Sequence, residues 1–173
     1  GGLRVTDGST SSQSSHATMG VTTGKWYYEH YMEYDFNTPQ NHGAGWLGTK
    51  QDMEGNGSGF TRLTTRIHYG DGISRVANGW GASGTGAAAN NNTGAYYSGS
   101  EGPADEDDVM GTAVDLDAGK MWFHIRGIWF TPSGGSIGDP ANGANPIFTN
   151  IATVLDGTQH LVPAQNQYTS GPP

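Results

Sequence analysis

Glycine and proline interrupt this chain so often that a helical fold is excluded. They account for 29 and 8 of the 173 residues, and no window of eleven residues is free of both while showing a helical apolar period. Each glycine inside a helix costs about 1 kcal/mol relative to alanine. Aromatic residues still make up 10% of the chain, which is enough for a core, so we expect a single all-β domain.

The longest alternating segment, residues 25–36, predicts a strand. Its even positions are mostly aromatic or apolar and its odd positions are carboxylates and phenols, the two-residue period of a half-buried strand. We expect the face with Trp26 to pack inward, and we assign Trp26, Trp122 and Phe123 to the core. Shorter candidate strands cover residues 16–21, 44–49, 63–69, 73–77, 109–116, 121–125, 147–150 and 160–164.

Three segments break the strand pattern. Residues 1–15 are small and polar and are predicted to form an arm or linker, which leaves 16–173 as the domain. Residues 78–107 contain almost no branched aliphatic side chains and are too long for an ordinary connection, so we interpret them as a surface excursion. The many glycines and prolines of 131–146 predict a second loop.

Charge and composition exclude several classes of function. The formal net charge is −8 and the eight basic residues are scattered, whereas binding to nucleic acid needs clustered basic side chains. No apolar run approaches the length of a membrane span, so we expect no membrane insertion. Cysteine is absent, which removes disulfides, thiolate nucleophiles and cysteine-based zinc sites.

Six short motifs occur in a recognisable order, at residues 20–29, 45–48, 68–72, 108–130, 138–148 and 161–164. The most specific is the hairpin of 108–130, in which a strand ends in an acidic turn and the next strand carries an aromatic pair. The order resembles the SPRY domain, particularly the copies in bacteriophage structural proteins. The resemblance implies an antiparallel two-sheet β-sandwich of the concanavalin A-like jelly-roll type with long Gly/Asn-rich loops. It implies partner contacts through end loops, no catalysis and no cofactor.

The sequence departs from the SPRY pattern at two places. Family hairpins usually turn through Asn-Gly, since a type I′ turn needs positive φ at both central residues, but this chain has Arg126 and Gly127. Family members also end with a strand carrying an Asn-Phe-Gly signature, whereas this chain stops at 167–173, where that strand should begin. We therefore expect these residues to leave one sheet edge unpaired. We expect a strand from a continuation of the chain, or from a neighbouring subunit, to pair with that edge.

Aromatic and amide side chains in and beside the 78–107 excursion are the candidate binding residues. They are Trp80, Asn90, Asn91, Asn92, Tyr96 and Tyr97. Aromatic faces beside amides suit sugars, and the same composition is typical of protein-binding loops. The alternative is that these aromatic side chains fold back and cap the end of the sandwich.

Catalytic and metal-binding readings are the minority hypotheses. Glu29, Glu33 and Asp35 share one strand face, and the last two would lie about 6.6 Å apart along it, near the separation of glycosidase carboxylates. We prefer a solvated outer face. The acidic run 105–108 and the turn 117–120 lack the pattern of an EF-hand loop, and the six histidines lack metal-binding spacing, so we expect no metal site.

The sequence therefore predicts a non-enzymatic recognition or decoration module of a phage virion, as a fibre, tail or capsid-surface protein outside the cell. Its expected partners are other virion subunits, copies of itself, or a glycan or protein of the host surface. A purely structural, self-assembling decoration or fibre subunit is the first alternative. A carbohydrate-active enzyme on the same sandwich is the second.

Overall fold

The described part of the chain forms two antiparallel sheets. The computed structural model describes residues 13–31, 42–48, 79–83, 88–90, 94–95, 107–132, 135–149, 151 and 160–167. The strands in these residues are β1 Gln13–His16, β2 Lys25–Tyr31, β3 His42–Gly48, β4 Gly79–Ser83, β5 Ala88–Asn90, β6 Gly94–Ala95, β7 Val109–Asp115, β8 Lys120–Ile125, β9 Ile128–Trp129 and β10 Leu161–Gln167. Sheet A has the order β1-β10-β3-β4-β5-β6, and sheet B the order β2-β7-β8-β9. The predicted all-β fold is confirmed.

The core lies between the two sheets and draws on the inward face of each. Alternate residues of β7 and β8 are buried there, as the two-residue period requires. Phe123 is central, because its ring meets those of Phe130 and Phe148 at centroid distances of 6.5 and 5.9 Å. Buried members of the core cluster are Val21, Trp46, Met110, Val114, Leu116, Met121, Phe123, Ile125, Phe130, Ile147, Phe148, Ile151 and Leu161. The two faces thus close into a β-sandwich.

Hydrogen bonds of Trp46 and Tyr28 cross the interface between the sheets. The Trp46 indole N–H of sheet A donates to the Thr112 hydroxyl of sheet B at 3.0 Å. The Tyr28 hydroxyl of sheet B accepts the Gly45 N–H at 2.7 Å and lies 2.5 and 2.9 Å from the carbonyl oxygens of Gly45 and Ala164. Burial raises the pKa of the Tyr28 phenol, so this hydroxyl keeps its proton and stays a donor.

Tyr28→Phe should lower the free energy of unfolding by about 1–3 kcal/mol. The substitution keeps the ring but leaves the buried N–H of Gly45 without its acceptor, and one unsatisfied buried group costs roughly that much. Urea unfolding followed by fluorescence measures the change. Tyr31→Phe is the matched control, since Tyr31 is exposed and its hydroxyl donates to Asp107, and it should cost much less. Equal losses in the two variants would contradict this role of Tyr28.

The predicted assignment of Trp26 to the core is wrong. Its side chain is 42% exposed, and its indole N–H donates to the carbonyl of Thr23 at 2.7 Å. The Trp26 N–H thus finds its partner in the turn that precedes β2 and not between the sheets. The assignment of Phe123 to the core is correct. Trp122 is equally buried, at 1% exposure, but it lies on the opposite face of β8, outside the core cluster between the sheets.

The segment 78–107 contains strands, contrary to the prediction of a surface excursion. β4 lies between β3 and β5 in sheet A, and β6 follows β5. The paired positions are largely glycine and alanine: Gly45 with Gly81, Gly81 with Ala89, Ala44 with Ala82, and Ala82 with Ala88. A strand ladder is made of backbone hydrogen bonds, so small residues form it without the branched side chains that signal a strand in the sequence.

Other boundaries agree in part with the predictions. β1 covers Gln13–His16 instead of 16–21, and Val21 makes an isolated bridge to Leu161. The predicted strand 25–36 is confirmed as far as Tyr31. The predicted strands 63–69 and 73–77 lie outside the described residues, and so does the rest of 25–36.

The strand β10 is paired on both sides, with β1 and with β3. The missing terminal strand and its filled edge stay a prediction. Within the ranges that the structure describes, no helix is long and apolar enough to cross a membrane.

The hairpin turn at Arg126 and Gly127 has the geometry of type I′. The two φ angles are 54° and 77°, both positive as this turn requires. Arginine therefore occupies the position where the family usually has asparagine. Its guanidinium pairs with the Asp108 carboxylate at 2.7 Å, and its backbone N–H donates to the Val109 carbonyl at 2.8 Å.

Candidate functional site: an aromatic groove on the outer face of sheet B

The outer face of sheet B carries aromatic side chains from neighbouring strands. In the register, Tyr27 of β2 lies opposite Ala113 of β7, which lies opposite Trp122 of β8. One pair further along, Gly111 lies between Glu29 and His124. The alternation of β2 predicted a solvated outer face. The β2 positions on this face, such as Tyr27 and Glu29, are exposed as predicted, but Trp122 and His124 of β8 on the same face are buried.

A folded loop covers Trp122. Residues 138–145 pack on the indole, whose N–H donates to the Ala144 carbonyl at 2.7 Å. The loop is held by its own contacts, because Asp139 and Ala144 exchange backbone hydrogen bonds of 2.9 and 2.8 Å. Gly138 lies so near that a Cβ there would be 3.0 Å from Trp122 Cδ1 and 2.9 Å from the Phe130 carbonyl oxygen. This position therefore requires glycine. The sequence predicted a loop here, but not its cover over the sheet.

An open groove of about 370 Å³ lies beside this loop. Its walls are mainly aromatic and apolar, from Trp26, Tyr27, Ala113, Val114, Trp122, Trp129, Pro140 and Ala141. The charged groups that line it are Lys25 and Asp115, whose Nζ and Oδ2 atoms are 3.5 Å apart. The other oxygen of Asp115 accepts the Ala118 N–H at 2.9 Å. The groove is thus an apolar surface with one ion pair at its edge.

His124 lies beside the groove and supports two of its walls. Its ring stacks on Tyr27 at a centroid distance of 5.9 Å and meets Trp129 edge-on at 4.7 Å. Only 4% of His124 is exposed. Gly111 makes this position possible, since a Cβ there would lie 2.0 Å from His124 Nε2. The imidazole therefore rests directly on the backbone of β7.

The hydrogen bonds around His124 fix its proton. Nδ1 accepts the Gly127 N–H at 3.1 Å, so the neutral ring carries its proton on Nε2. Nε2 lies 2.7 Å from the Tyr27 hydroxyl oxygen and donates to it, because the Tyr27 proton is directed to Glu29 Oε1 at 2.5 Å. The result is a chain of donors that ends on the Glu29 carboxylate.

Burial and charge shift the pKa values of His124 and Tyr27. Burial lowers the pKa of the His124 imidazole below its ordinary value, and the nearby Glu29 carboxylate partly opposes this effect. The pKa of the Tyr27 phenol is raised by partial burial and by its hydrogen bond to Glu29. Both side chains are therefore neutral at pH 7, which matches the donor pattern.

Two of the binding residues predicted from the sequence, Trp80 and Asn90, lie in described residues, and neither lines the groove. Trp80 is on β4, paired in register with Trp46 on one side and with Asn90 of β5 on the other. Both belong to sheet A and to strands, where the sequence predicted a loop. Asn91, Asn92, Tyr96 and Tyr97 lie outside the described residues, so their role stays a prediction.

Of the three carboxylates in the enzyme hypothesis, the structure describes Glu29. Glu29 is exposed and accepts the Tyr27 hydroxyl, while Glu33 and Asp35 lie outside the described residues. In the part of the chain that the structure describes, no group of three histidine or acidic side chains is placed to hold a metal ion.

Comparison with solved structures finds the same architecture in a SPRY domain. The SPRY domain of human HERC1 matches with a TM-score of 0.52 and 11% identity, over 94% of this chain and 78% of that chain. The fold is SPRY-like. At this identity the likeness concerns the fold alone. No family model matches the sequence, and no curated protein matches it.

Proposed function

We propose that this SPRY-like domain is a non-enzymatic protein-interaction module, and that the aromatic groove holds an apolar segment of its partner. The observation that carries the proposal is the groove itself, an open apolar cleft on a sheet face that a folded loop otherwise covers. Exposed aromatic surface of this kind is costly in water unless a ligand uses it. Tyrosine and tryptophan are also the residues that contribute most at protein interfaces.

The polar groups of the groove favour a protein over a sugar. A sugar needs several convergent donors and acceptors for its hydroxyls. Among the described residues of the lining, Lys25 and Asp115 pair with each other, and the Tyr27 hydroxyl already contacts Glu29 and His124. An apolar, aromatic or proline side chain needs no such partners. The net charge of −8 further favours a partner that is basic around the inserted segment.

The assembly in which the module works is proposed from the sequence pattern. The motif order resembles the SPRY copies of bacteriophage structural proteins, so we place the chain in a virion, as a fibre, tail or capsid-surface component. Its partner is then another virion subunit, a second copy of the chain, or a host-surface protein. The absence of catalysis belongs to the same proposal, and the use of Glu29 as an acceptor for Tyr27 supports it.

A selection from a displayed random-peptide library tests the groove. Ala141 is exposed on the groove wall, so Ala141→Arg fills the cleft without removing a packed side chain. We expect peptides that share an apolar or aromatic motif, and about tenfold or greater loss of their affinity in Ala141→Arg, equivalent to about 1.4 kcal/mol. Thr149→Arg is the matched control, since Thr149 is exposed and does not line the groove.

The outcomes separate the alternatives. Peptides that bind the wild type and Ala141→Arg equally well would overturn the groove as the site. If no peptide is recovered, and a glycan array gives a signal that Ala141→Arg abolishes, the ligand of the groove is a sugar and not a protein. Self-association that Ala141→Arg abolishes in sedimentation velocity would make the partner a second copy of the chain.

A further inference from the structure

We propose that His124 is an acid-sensitive switch of the groove, in which protonation of the imidazole displaces Tyr27 and Trp129 and weakens partner binding. The effect on binding rests on the proposed function of the groove. The switch itself is a property of the chain without its partner, so the two can fail separately.

The first step is a conflict of donors. In the neutral ring, Nδ1 accepts the Gly127 N–H at 3.1 Å and Nε2 donates to Tyr27. A second proton can be added only at Nδ1, which then faces the Gly127 N–H as donor against donor. Because a lost acceptor leaves that backbone group without its hydrogen bond, the charged ring and the β8–β9 turn cannot keep their present contact.

The second step is the direction in which the ring can move. His124 is nearly fully buried, and its Nε2 edge lies against the backbone of Gly111. Movement toward the sheet is therefore blocked. Tyr27 stacks on the ring and Trp129 meets it edge-on, and both residues line the groove. A ring that leaves its place must push these two walls.

The charged and titratable groups around His124 come from several elements. β2 contributes Tyr27 and Glu29, and the Glu29 carboxylate is the negative charge that acts on the imidazole. β7 presents Gly111, which has no side chain, and β9 presents the uncharged Trp129. Further out lie two ion pairs, Arg126 with Asp108 and Lys25 with Asp115, and the Tyr31 hydroxyl bonded to Asp107.

The pH range follows from the direction of the shift. Burial lowers the pKa of His124 below the ordinary 6.5, and Glu29 partly offsets this. The unfolded chain therefore takes up this proton before the folded chain does. Stability from this group is complete above about pH 6.5 and decreases as the pH falls toward the folded pKa. The switch thus operates in mildly acidic solution.

NMR titration of the full chain from pH 7.5 to 4.5 tests the switch without any ligand. We expect the imidazole resonances of His124 and the indole N–H of Trp129 to change with one common midpoint below pH 6.5. Glu29→Gln keeps an acceptor for Tyr27 but removes the charge, so it should move both midpoints together to lower pH. His160→Gln removes an exposed histidine and should leave them in place.

His124→Gln completes the test, because the amide can accept from Gly127 and donate to Tyr27 without titrating. It should abolish the Trp129 transition, and Glu29→Gln still decides the matter if His124→Gln does not fold. A Trp129 signal that stays constant while His124 titrates would overturn the switch, as would an unchanged Trp129 midpoint in Glu29→Gln.

A peptide recovered by the display selection serves as the probe of binding. It should bind about fivefold or more weakly at pH 5 than at pH 7.5, and His124→Gln should remove the difference. Equal binding of this peptide by the wild type at the two pH values would overturn the link between the switch and the groove. If no peptide is recovered, the proposed function fails, while the NMR titration still decides the switch.

Discussion

Gly111→Ala should destabilise the sandwich by about 1–3 kcal/mol, which is typical of an extra methyl group in a packed site. The added Cβ would lie 2.0 Å from His124 Nε2, far inside contact distance. β7 is an interior strand, paired with β2 and β8, so the backbone cannot retreat without disturbing both ladders. The free energy of unfolding in urea measures the loss.

A double-mutant cycle shows whether the clash with the imidazole is the cause. His124→Ala removes the ring, so the methyl group of Gly111→Ala then has space and the second substitution should cost close to nothing. We expect the two substitutions to be non-additive by about 1–3 kcal/mol, the full cost of Gly111→Ala alone and within the range for residues in contact. Additive losses would show that alanine is unfavourable at position 111 for a reason unrelated to His124.

Trp46→Ala should be the more severe change, at about 3–5 kcal/mol. Trp46 is 2% exposed, meets Tyr28 edge-on at a centroid distance of 5.2 Å, and its N–H reaches the Thr112 hydroxyl of the opposite sheet. The substitution leaves a cavity between the sheets and removes one of the hydrogen bonds that join them. Urea unfolding again gives the value, and on this scale many domains of marginal stability would no longer fold.

Trp26→Ala is the matched control for Trp46. Both are strand tryptophans, but Trp26 is 42% exposed and its N–H contacts only the preceding turn. We expect a loss of about 1 kcal/mol or less, close to that of other surface substitutions. A cost for Trp26→Ala as large as that of Trp46→Ala would mean that Trp26 packs into the core, as the sequence alternation had predicted.

Strands whose side chains alternate could be predicted from the sequence. The predicted segments 109–116 and 121–125 match β7 and β8 to within a residue at each end. β4, β5 and β6 could not be predicted in this way, because glycine and alanine leave no alternation of polarity to detect. Whether a segment of small residues forms a strand depends on which backbone lies beside it, and the sequence does not show which segments are neighbours.

The site was harder to predict than the fold. Tyr27, Trp122 and Trp129 come from three strands, and their meeting depends on the register of sheet B. The burial of Trp122 also depends on the carbonyl of Ala144, 22 residues away. One signal was available, since a glycine within the alternation of β7 indicates close approach by another group. That glycine is Gly111, and the approaching group is His124.

The loop over Trp122 restricts the shape of any partner that binds sheet B. Stacked sheets pack about 10 Å apart, and residues 138–145 already occupy that space above part of β8. A flat surface of a neighbouring molecule, including the broad face of another sandwich, would strike the loop before it reached the groove. A partner must therefore bring a narrow projection, such as a loop tip or a chain end, which can enter between Ala141 and Tyr27.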